Sequence, residues 1–220
     1  MSSSASTSGA PPVGVDVGGT FTDVLIATPS GLQVRKVPTT TPQHEAVVAG
    51  LDALRPAPRA PLVHGTTTAT NALLERRGAR TALVTTDGFA DVLAIGRQAR
   101  PALYDLMPSR PPPLVPAERR YEVPERVRAD GEIQTPLDED AVRAVGRRLV
   151  AQQIESVAVV FLFSYLRPEH ETRAAALLRE ILPDPVPVTR SSALLPEHRE
   201  YERAATTAIN AYVQPPVARY

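Results

Sequence analysis

Two short runs of apolar and β-branched residues, separated by a pair of glycines, constrain the fold more than any other part of the sequence. They occupy the stretch VGVDVGGTFTDVLIA at 13–27, where Asp16 precedes Gly18 and Gly19. Such runs on either side of a glycine turn predict two neighbouring strands. A third run at 32–37 follows a proline-serine-glycine turn, so the sequence predicts an antiparallel β-meander.

The glycine turn has two interpretations that the residues alone leave open. Gly18 and Gly19 permit positive φ and let backbone amides approach an anion closely, while Thr20 and Thr22 offer hydroxyls. Asp16, at the end of the first strand, would then hold a metal-bound or attacking water. A plain hairpin turn explains the same residues. The spacing is neither that of a Walker loop nor that of a dinucleotide-binding turn, so any bound phosphate would lie in a hairpin.

A second candidate site follows a short predicted strand at 62–64. His64 and Gly65 lead into a run of threonines and a helix, whose positive end would attract an anion or a carbonyl oxygen. On its own, the segment is better explained by a threonine N-cap and a core histidine. Two such segments in one chain, each at a strand end, favour a functional interpretation.

The other histidines give no comparable signal. His44, His170 and His198 lie on predicted helices among charged residues, without the spacing of a metal site. We therefore expect them on solvated helix faces. The nucleophile elbow of a serine hydrolase is also missing from the sequence.

Composition excludes several classes of partner. The 24 basic and 24 acidic side chains are scattered, which disfavours nucleic acid and anionic membranes as partners. No run of about 18 apolar residues offers a membrane span. The sequence contains no cysteine, which excludes disulfides and zinc-thiolate sites and suits a reducing cytoplasm, the location that we expect.

The chain divides into five predicted segments. Residues 1–12 form a disordered leader without the apolar region of a signal peptide, and 101–124 form a proline-rich arm. Two α/β units at 13–100 and 125–195 flank the arm, and a helix within 196–220 follows. The helices expected after the meander are at 41–54, within 65–78 and ended by Gly78, and at 90–95, 138–152, 168–182 and 196–213. The expected strands are at 62–64, 81–85, 121–127, 156–163 and 186–190, of which 156–163 is apolar throughout, as in a parallel strand covered on both faces.

Three strings of residues go beyond these generic patterns. They are VDVGGTFTDVL, HGTTTATNALLERRGARTALVTTDGFADVLAIGRQARPALYDL and LLPEHREYERAATTAINAYVQP. In order and spacing they resemble the N-terminal region of the hydantoinase/oxoprolinase family, which includes N-methylhydantoinase A subunits, 5-oxoprolinases and an acetone carboxylase subunit. The resemblance implies an α/β fold with a ribonuclease-H-like lobe of the actin, Hsp70 and sugar-kinase type, containing a mixed sheet, plus a second small α/β unit.

The same resemblance implies ATP and Mg²⁺ as cofactors, and a small cyclic amide as the substrate whose oxygen is phosphorylated. It assigns Asp16 and His64 to catalysis and Asp16 also to the metal ion. The residues that it implies for the first phosphate loop are Asp16, Gly18, Gly19, Thr20 and Thr22. The residues that it implies on the substrate side are Gly65, Thr66, Thr67, Asn71 and Arg97.

Members of the family continue well beyond the position that matches Tyr212, and that part carries a second lobe with its own phosphate loop. We therefore expect the chain to be incomplete alone, with weak or absent ATPase activity, and to need that lobe and a B-type hydantoinase subunit or domain. The alternatives are a catalytically silent partner domain and, less favoured, a complete small sugar kinase. If a lobe is missing, Ala204, Ala208, Ile209 and Tyr212 are expected to form an exposed apolar stripe.

Overall fold

The computed structural model describes residues 10–99, 104 and 111–220, which belong to two compact units. The first takes in the chain up to Glu75 together with Arg219 and Tyr220, and the second comprises Arg76–Ala218. The chain thus passes from the first unit to the second at residues 75 and 76, earlier than the arm between the two units expected from the sequence. Most of the predicted leader and part of the predicted arm lie outside the described residues.

The first unit is a mixed sheet with two helices. Its strands are β1 (Val13–Val17), β2 (Phe21–Thr28), β3 (Gly31–Pro38) and β4 (Leu62–Thr66). Its helices are α1 (His44–Leu54) and α2 (Thr68–Leu74). The strand order is β3-β2-β1-β4. β1, β2 and β3 pair antiparallel, which confirms the predicted meander, and β4 runs parallel to β1.

Alternate residues of β1 and β2 form the core of this unit. The buried set is Val13, Val15, Val17, Val24 and Ile26. α1 packs against them through its apolar side. Because successive side chains of a strand point to opposite faces, Asp16 lies on the face of the sheet away from α1. The exposed carboxylate of Asp16 therefore lies between two residues, Val15 and Val17, whose side chains are buried in the core.

The first helix begins later than its sequence predicts. Helix α1 starts at His44, and Thr41 precedes it instead of capping it. The Thr40 hydroxyl instead accepts a hydrogen bond of 3.1 Å from the Ala46 amide, so the residue before the predicted cap satisfies the helix start.

The glycine expected to end α2 has a different role. The helix ends at Leu74, and Arg76, with φ of 57°, supplies the left-handed residue instead of Gly78. A Cβ atom placed on Gly78 would lie 2.1 Å from a ring carbon of Tyr212. Gly78 is therefore required by the close approach of an aromatic ring and not by backbone conformation.

The second unit is built on a parallel sheet. Its strands are β5 (Thr81–Thr86), β6 (Arg120–Val123), β7 (Arg126–Val127), β8 (Ile133–Thr135), β9 (Ser156–Val160) and β10 (Val188–Arg190). Its helices are α3 (Val92–Ile95), α4 (Glu139–Ala151), α5 (Glu169–Ile181), α6 (Ser191–Leu194) and α7 (Glu200–Arg219), with a 3-10 turn at Ala117–Arg119. The parallel strand order is β10-β9-β5-β6, and β7 and β8 pair separately.

Helices cover both faces of the parallel sheet. Val157 and Val159 of β9 pack in one core with α4 and α5, while Ala158 and Val160 pack in a second core with α7. This confirms the prediction, made from its unbroken apolar run, that β9 is a parallel strand covered on both faces.

Two expectations for the last helix are wrong. Ala204, Ala208 and Tyr212 are buried within the unit, and of the predicted exposed stripe only Ile209 is exposed. Ala204 and Ala208 fill the core over β5 and β9, and the Tyr212 ring lies against Gly78, which the helical spacing alone does not reveal. The helix also continues through Pro215 and Pro216 to Arg219, since the fixed φ of proline, about −65°, is itself a helical value.

One histidine is buried, contrary to the sequence interpretation. His170 of α5 is only 9% exposed, and its Nδ1 lies 2.8 Å from Oε2 of the buried Glu125. The expectation of solvated positions is confirmed for His44 and His198. His170 lies among charged residues in the sequence, but its own partner is distant along the chain.

A buried arginine joins the start of α7 to the carboxyl end of β9. Arg203 is fully buried, and its guanidinium donates to the Ser191 hydroxyl at 3.1 Å and to the carbonyl oxygens of Glu197 and Phe161, both at 2.8 Å. It also forms an ion pair with Glu200. Burial raises the pKa of the Glu200 carboxyl above its usual value, while Arg203 acts in the opposite direction.

Among the described residues, none of the helices combines the length and the apolar character that a membrane span requires.

We expect Arg203→Met to lower the free energy of unfolding by roughly 3–5 kcal/mol, because it leaves the buried Phe161 carbonyl and the partly buried Glu200 carboxylate without their partner. Urea denaturation followed by far-ultraviolet circular dichroism measures this, since the chain has no tryptophan. Arg147→Met, on the exposed side of α4, is the matched control and should cost no more than about 0.5 kcal/mol. Equal losses in the two variants would contradict the assignment.

Candidate functional site

The turn between β1 and β2 is a hairpin whose glycines are needed for space. The Gly18 amide donates to the Phe21 carbonyl at 3.0 Å. Neither Gly18 nor Gly19 has positive φ, so the conformational freedom considered in the sequence analysis is not used. A Cβ on Gly18 would lie 3.0 Å from the Phe21 carbonyl oxygen, and one on Gly19 would lie 3.2 Å from Nδ2 of Asn71. Both contacts are tighter than side chains ordinarily make.

The threonines around the turn differ in exposure. Thr22 is fully buried, and its hydroxyl lies 3.0 Å from that of Thr39. Thr39 in turn donates to the Gly18 carbonyl at 3.0 Å, and its amide donates to the Thr20 carbonyl at 2.9 Å. Thr20 and Gly19 are exposed. Thr22 therefore supports the shape of the turn from below, while Thr20 lies at its surface.

The backbone of the turn retains donors for a ligand. Within the described part of the chain, the amides of Gly19 and Thr20 have no hydrogen-bond partner. Exposed, adjacent amides in a tight turn can donate together to one anion. The arrangement permits binding of a phosphate oxygen without displacing an internal bond.

The carboxylate of Asp16 lies exposed on the sheet face away from α1. Its neighbours in register are Asp23 on β2 and Gly65 on β4. Asp23 has a basic partner in Lys36 on β3, at 3.4 Å, but among the described residues Asp16 has no ion pair. Directly opposed like charges on a sheet are destabilising. Of these two opposed carboxylates, Asp16 is therefore the one whose charge no basic side chain among the described residues offsets by an ion pair.

Gly65 leaves room beside Asp16. A Cβ at this position would lie 3.5 Å from Oδ1 of Asp16, which is ordinary contact, so a longer side chain would extend over the carboxylate. The absence of a side chain here keeps the Asp16 carboxylate accessible from the β4 side.

The segment after β4 lies against the glycine turn. The Thr67 amide donates to the Val17 carbonyl at 3.2 Å. Thr67 occupies the N-cap of α2, but its hydroxyl caps no helix amide and accepts from Nδ2 of Asn71 at 3.1 Å instead. The Thr66 hydroxyl also lies near the Val17 carbonyl, at 3.4 Å. These hydrogen bonds bring Asn71 and the threonines close to Gly19. They differ from the threonine N-cap that the sequence predicts, because the Thr67 hydroxyl bonds to the Asn71 side chain instead of a helix amide.

His64 is separated from this cluster by the alternation of the strand. It pairs with Val15, so it lies on the opposite face from Asp16 and Gly65. It is exposed rather than in the core, contrary to the structural interpretation of the sequence. Its Nε2 lies 2.7 Å from the hydroxyl of Tyr220, a residue that the sequence analysis did not single out. No signal in the sequence links two residues that lie so far apart along the chain.

Arg97 belongs to the second unit. Its Nε donates to Oε1 of Glu202 at 2.7 Å, and this hydrogen bond lowers the pKa of the Glu202 carboxyl. Both side chains line a cavity of about 910 Å³, whose wall also includes Tyr201 and Ile209 of α7. Arg97 therefore has a concave surface beside it, formed by its own unit.

The donor set near Asp16 is too small to form a metal site from protein side chains alone. The described residues contain no group of three or more histidine, aspartate and glutamate side chains placed to hold a metal. Mg²⁺ is usually bound through one or two carboxylates, with phosphate oxygens and water completing its shell. Asp16, beside a turn with open amides, fits that description.

Comparison with known proteins connects this arrangement to one family. The family model for the hydantoinase/oxoprolinase N-terminal region matches residues 12–182. Caprolactamase subunit alpha from Pseudomonas jessenii is 38% identical over 224 residues, which cover 94% of this chain and 32% of the relative. The chain spans about a third of the length of such relatives.

Solved structures give the same result. The crystal structure of ATP-dependent caprolactamase from Pseudomonas jessenii matches with a TM-score of 0.79 at 36% identity, covering 95% of this chain and 32% of that one. A nucleotide-free structure of acetone carboxylase, from a study of ATP-dependent acetone carboxylation, matches with a TM-score of 0.83 at 27% identity, covering 96% and 33%. These likenesses confirm the α/β class and the resemblance found in the sequence.

We expect the cost of Gly19→Ala to fall by about 0.5–1 kcal/mol when Asn71 is also changed to alanine, because the added methyl group contacts the Asn71 amide. A double-mutant cycle based on urea denaturation measures this coupling. Gly65→Ala is the matched control, since its methyl group would make only ordinary contacts and does not approach Asn71. Additive effects of Gly19→Ala and Asn71→Ala would show that the two residues are not packed together.

Proposed function

Since the chain belongs to the hydantoinase/oxoprolinase family, we propose that it is the N-terminal region of an ATP-dependent enzyme that hydrolyses a cyclic amide of the hydantoin or 5-oxoproline type. The observation that carries this proposal is the exposed carboxylate of Asp16 beside a hairpin turn with two exposed amides, none of which has a partner within residues 10–99 and 111–220. The likeness to an ATP-dependent caprolactamase supports the reaction class, since caprolactam is itself a cyclic amide.

We assign the first phosphate loop to the turn between β1 and β2. The Gly19 and Thr20 amides donate to phosphate oxygens, and the exposed Thr20 hydroxyl adds a third donor. Gly18 permits the close hairpin, and Thr22 acts indirectly, by holding Thr39 against the Gly18 carbonyl. The buried position of Thr22 supports this indirect role.

When bound, ATP would supply a phosphoryl group that makes the amide carbon open to attack by water, so that the ring C–N bond can break with release of ADP and phosphate. Asp16 would hold Mg²⁺, directly or through its water shell, where the ion offsets charge on the phosphates. Because Asp16 is fixed by the buried valines of β1, it needs little reorganisation to do so. His64 lies on the other face of β4, so its proposed role is indirect: it helps to position the strand that places Gly65 beside Asp16.

The substrate side is assigned to the segment after His64. Gly65 leaves the approach to Asp16 open, and the side chains of Thr66, Thr67 and Asn71 lie at the turn. Arg97 is a separate candidate, supported by the cavity that it lines in the second unit. A neutral cyclic amide would find both polar and apolar groups on that wall.

We also propose that the first unit is one ribonuclease-H-like lobe of the actin, Hsp70 and sugar-kinase type. Its strand order, with three antiparallel strands and a parallel fourth, supports this. The part of the relatives beyond the matched third would supply the second lobe. The name of the caprolactamase relative, a subunit alpha, supports a B-type partner subunit.

We expect Asp16→Asn to weaken Mg-ATP binding at least tenfold, because it removes the negative charge proposed to hold the ion while keeping the shape of the side chain. Isothermal titration of the 220-residue chain, and of a longer version that carries the relatives' remaining region, measures the affinity. Asp52→Asn, at an exposed position on α1, is the control and should bind as the parent does.

Two results would overturn the proposal. One is an unchanged affinity in Asp16→Asn, which would remove the assigned role of the carboxylate. The other is absence of Mg-ATP binding in both the 220-residue and the longer protein, which would favour a catalytically silent partner domain that retains the fold.

A further inference from the structure

The hydroxyl of Tyr220 contacts His64, the residue that precedes Gly65. Its oxygen lies 2.7 Å from Nε2 of His64, and the two ring centroids are 5.5 Å apart. Tyr220 belongs to the first unit with β4, so this contact lies within one compact body. Tyr220 therefore holds the residue next to the glycine that faces Asp16.

β4 has little else to fix its position. It is the edge strand of its sheet, and in the part of the chain that the structure describes it pairs only with β1. All five of its residues are exposed, so no buried side chain anchors it. Edge strands without buried side chains have a weakly specified position. The bond from the Thr67 amide to the Val17 carbonyl, at 3.2 Å, fastens the end of the strand.

The phenol can act as the donor of this hydrogen bond. Burial raises the pKa of Tyr220 above its usual value, the Thr66 side chain lowers it, and the charge of Asp16 raises it. The phenol therefore keeps its proton near neutral pH. When it donates that proton to Nε2 of His64, the ring proton of His64 is on Nδ1.

We propose that Tyr220 is a positioning residue of the phosphate site, donating to His64 and so holding β4 in register beside Asp16. This bond next to Gly65, together with that of the Thr67 amide, keeps the strand from shifting along or away from β1. The link to a phosphate rests on the function proposed above, but the clamp on β4 does not require a nucleotide.

Nuclear magnetic resonance of the 220-residue chain tests the clamp directly. The ¹⁵N shifts of the His64 ring should show the proton on Nδ1, and in Tyr220→Phe they should shift towards the form protonated on Nε2. Loss of one hydrogen bond should also raise exchange of the Thr67 amide about fivefold. The Thr39 amide, bonded to the Thr20 carbonyl on the other side of the turn, should exchange as before. Tyr104→Phe is the matched control, because Tyr104 is 98% exposed.

Titration with Mg-ATP then tests the role in the site, with an expected loss of about fivefold in affinity for Tyr220→Phe. A proton on Nε2 in the parent, or unchanged His64 shifts and Thr67 exchange in Tyr220→Phe, would overturn the clamp. Changed shifts with unchanged Mg-ATP affinity would overturn its role in the site. Changed shifts in a chain that binds no Mg-ATP, even in its longer version, would uphold the clamp and overturn the proposed function instead.

Discussion

The burial of the valines of β1 is the constraint on which the candidate site depends. Because these side chains pack on the α1 side of the sheet, the residue between the last two of them, Asp16, has to lie on the opposite face. A slip of one residue in the pairing would bury the carboxylate and expose the valines, so the hydrophobic core itself specifies the register. Pairing on both sides then places Asp23 and Gly65 next to Asp16.

The features that sequence reasoning found are those determined by neighbouring residues. Alternating valines, a glycine pair and a second alternating run are sufficient to predict β1, the turn and β2. The apolar run of β9 likewise predicts its position in the middle of a covered sheet. In each case the physical cause, strand periodicity or turn geometry, acts over a few residues and is visible in the sequence.

The features that it missed depend on contacts between distant segments. Gly19 is needed because of the Asn71 amide, and Gly78 because of the Tyr212 ring. The buried His170 has its ring Nδ1 2.8 Å from the Glu125 carboxylate, and the Tyr220 hydroxyl lies 2.7 Å from Nε2 of His64. A buried polar group requires a partner, but the sequence does not show where along the chain that partner lies. The sequence suggested a role for each residue that depended on its neighbours in the chain, whereas the structure shows a contact with a distant segment.

The row of side chains across the first sheet links stability to ligand binding. Opposed carboxylates at Asp16 and Asp23 repel each other at a cost of up to about 1 kcal/mol, and Lys36 offsets the charge only at Asp23. A cation at Asp16 would remove the remaining repulsion and would bind the folded sheet but not the unfolded chain, in which the two carboxylates are not held together. Under the proposed function, binding at this position would therefore stabilise the first unit by mass action. The charge of Asp16, which opposes that of Asp23 across the strands, would then also favour a positively charged ligand.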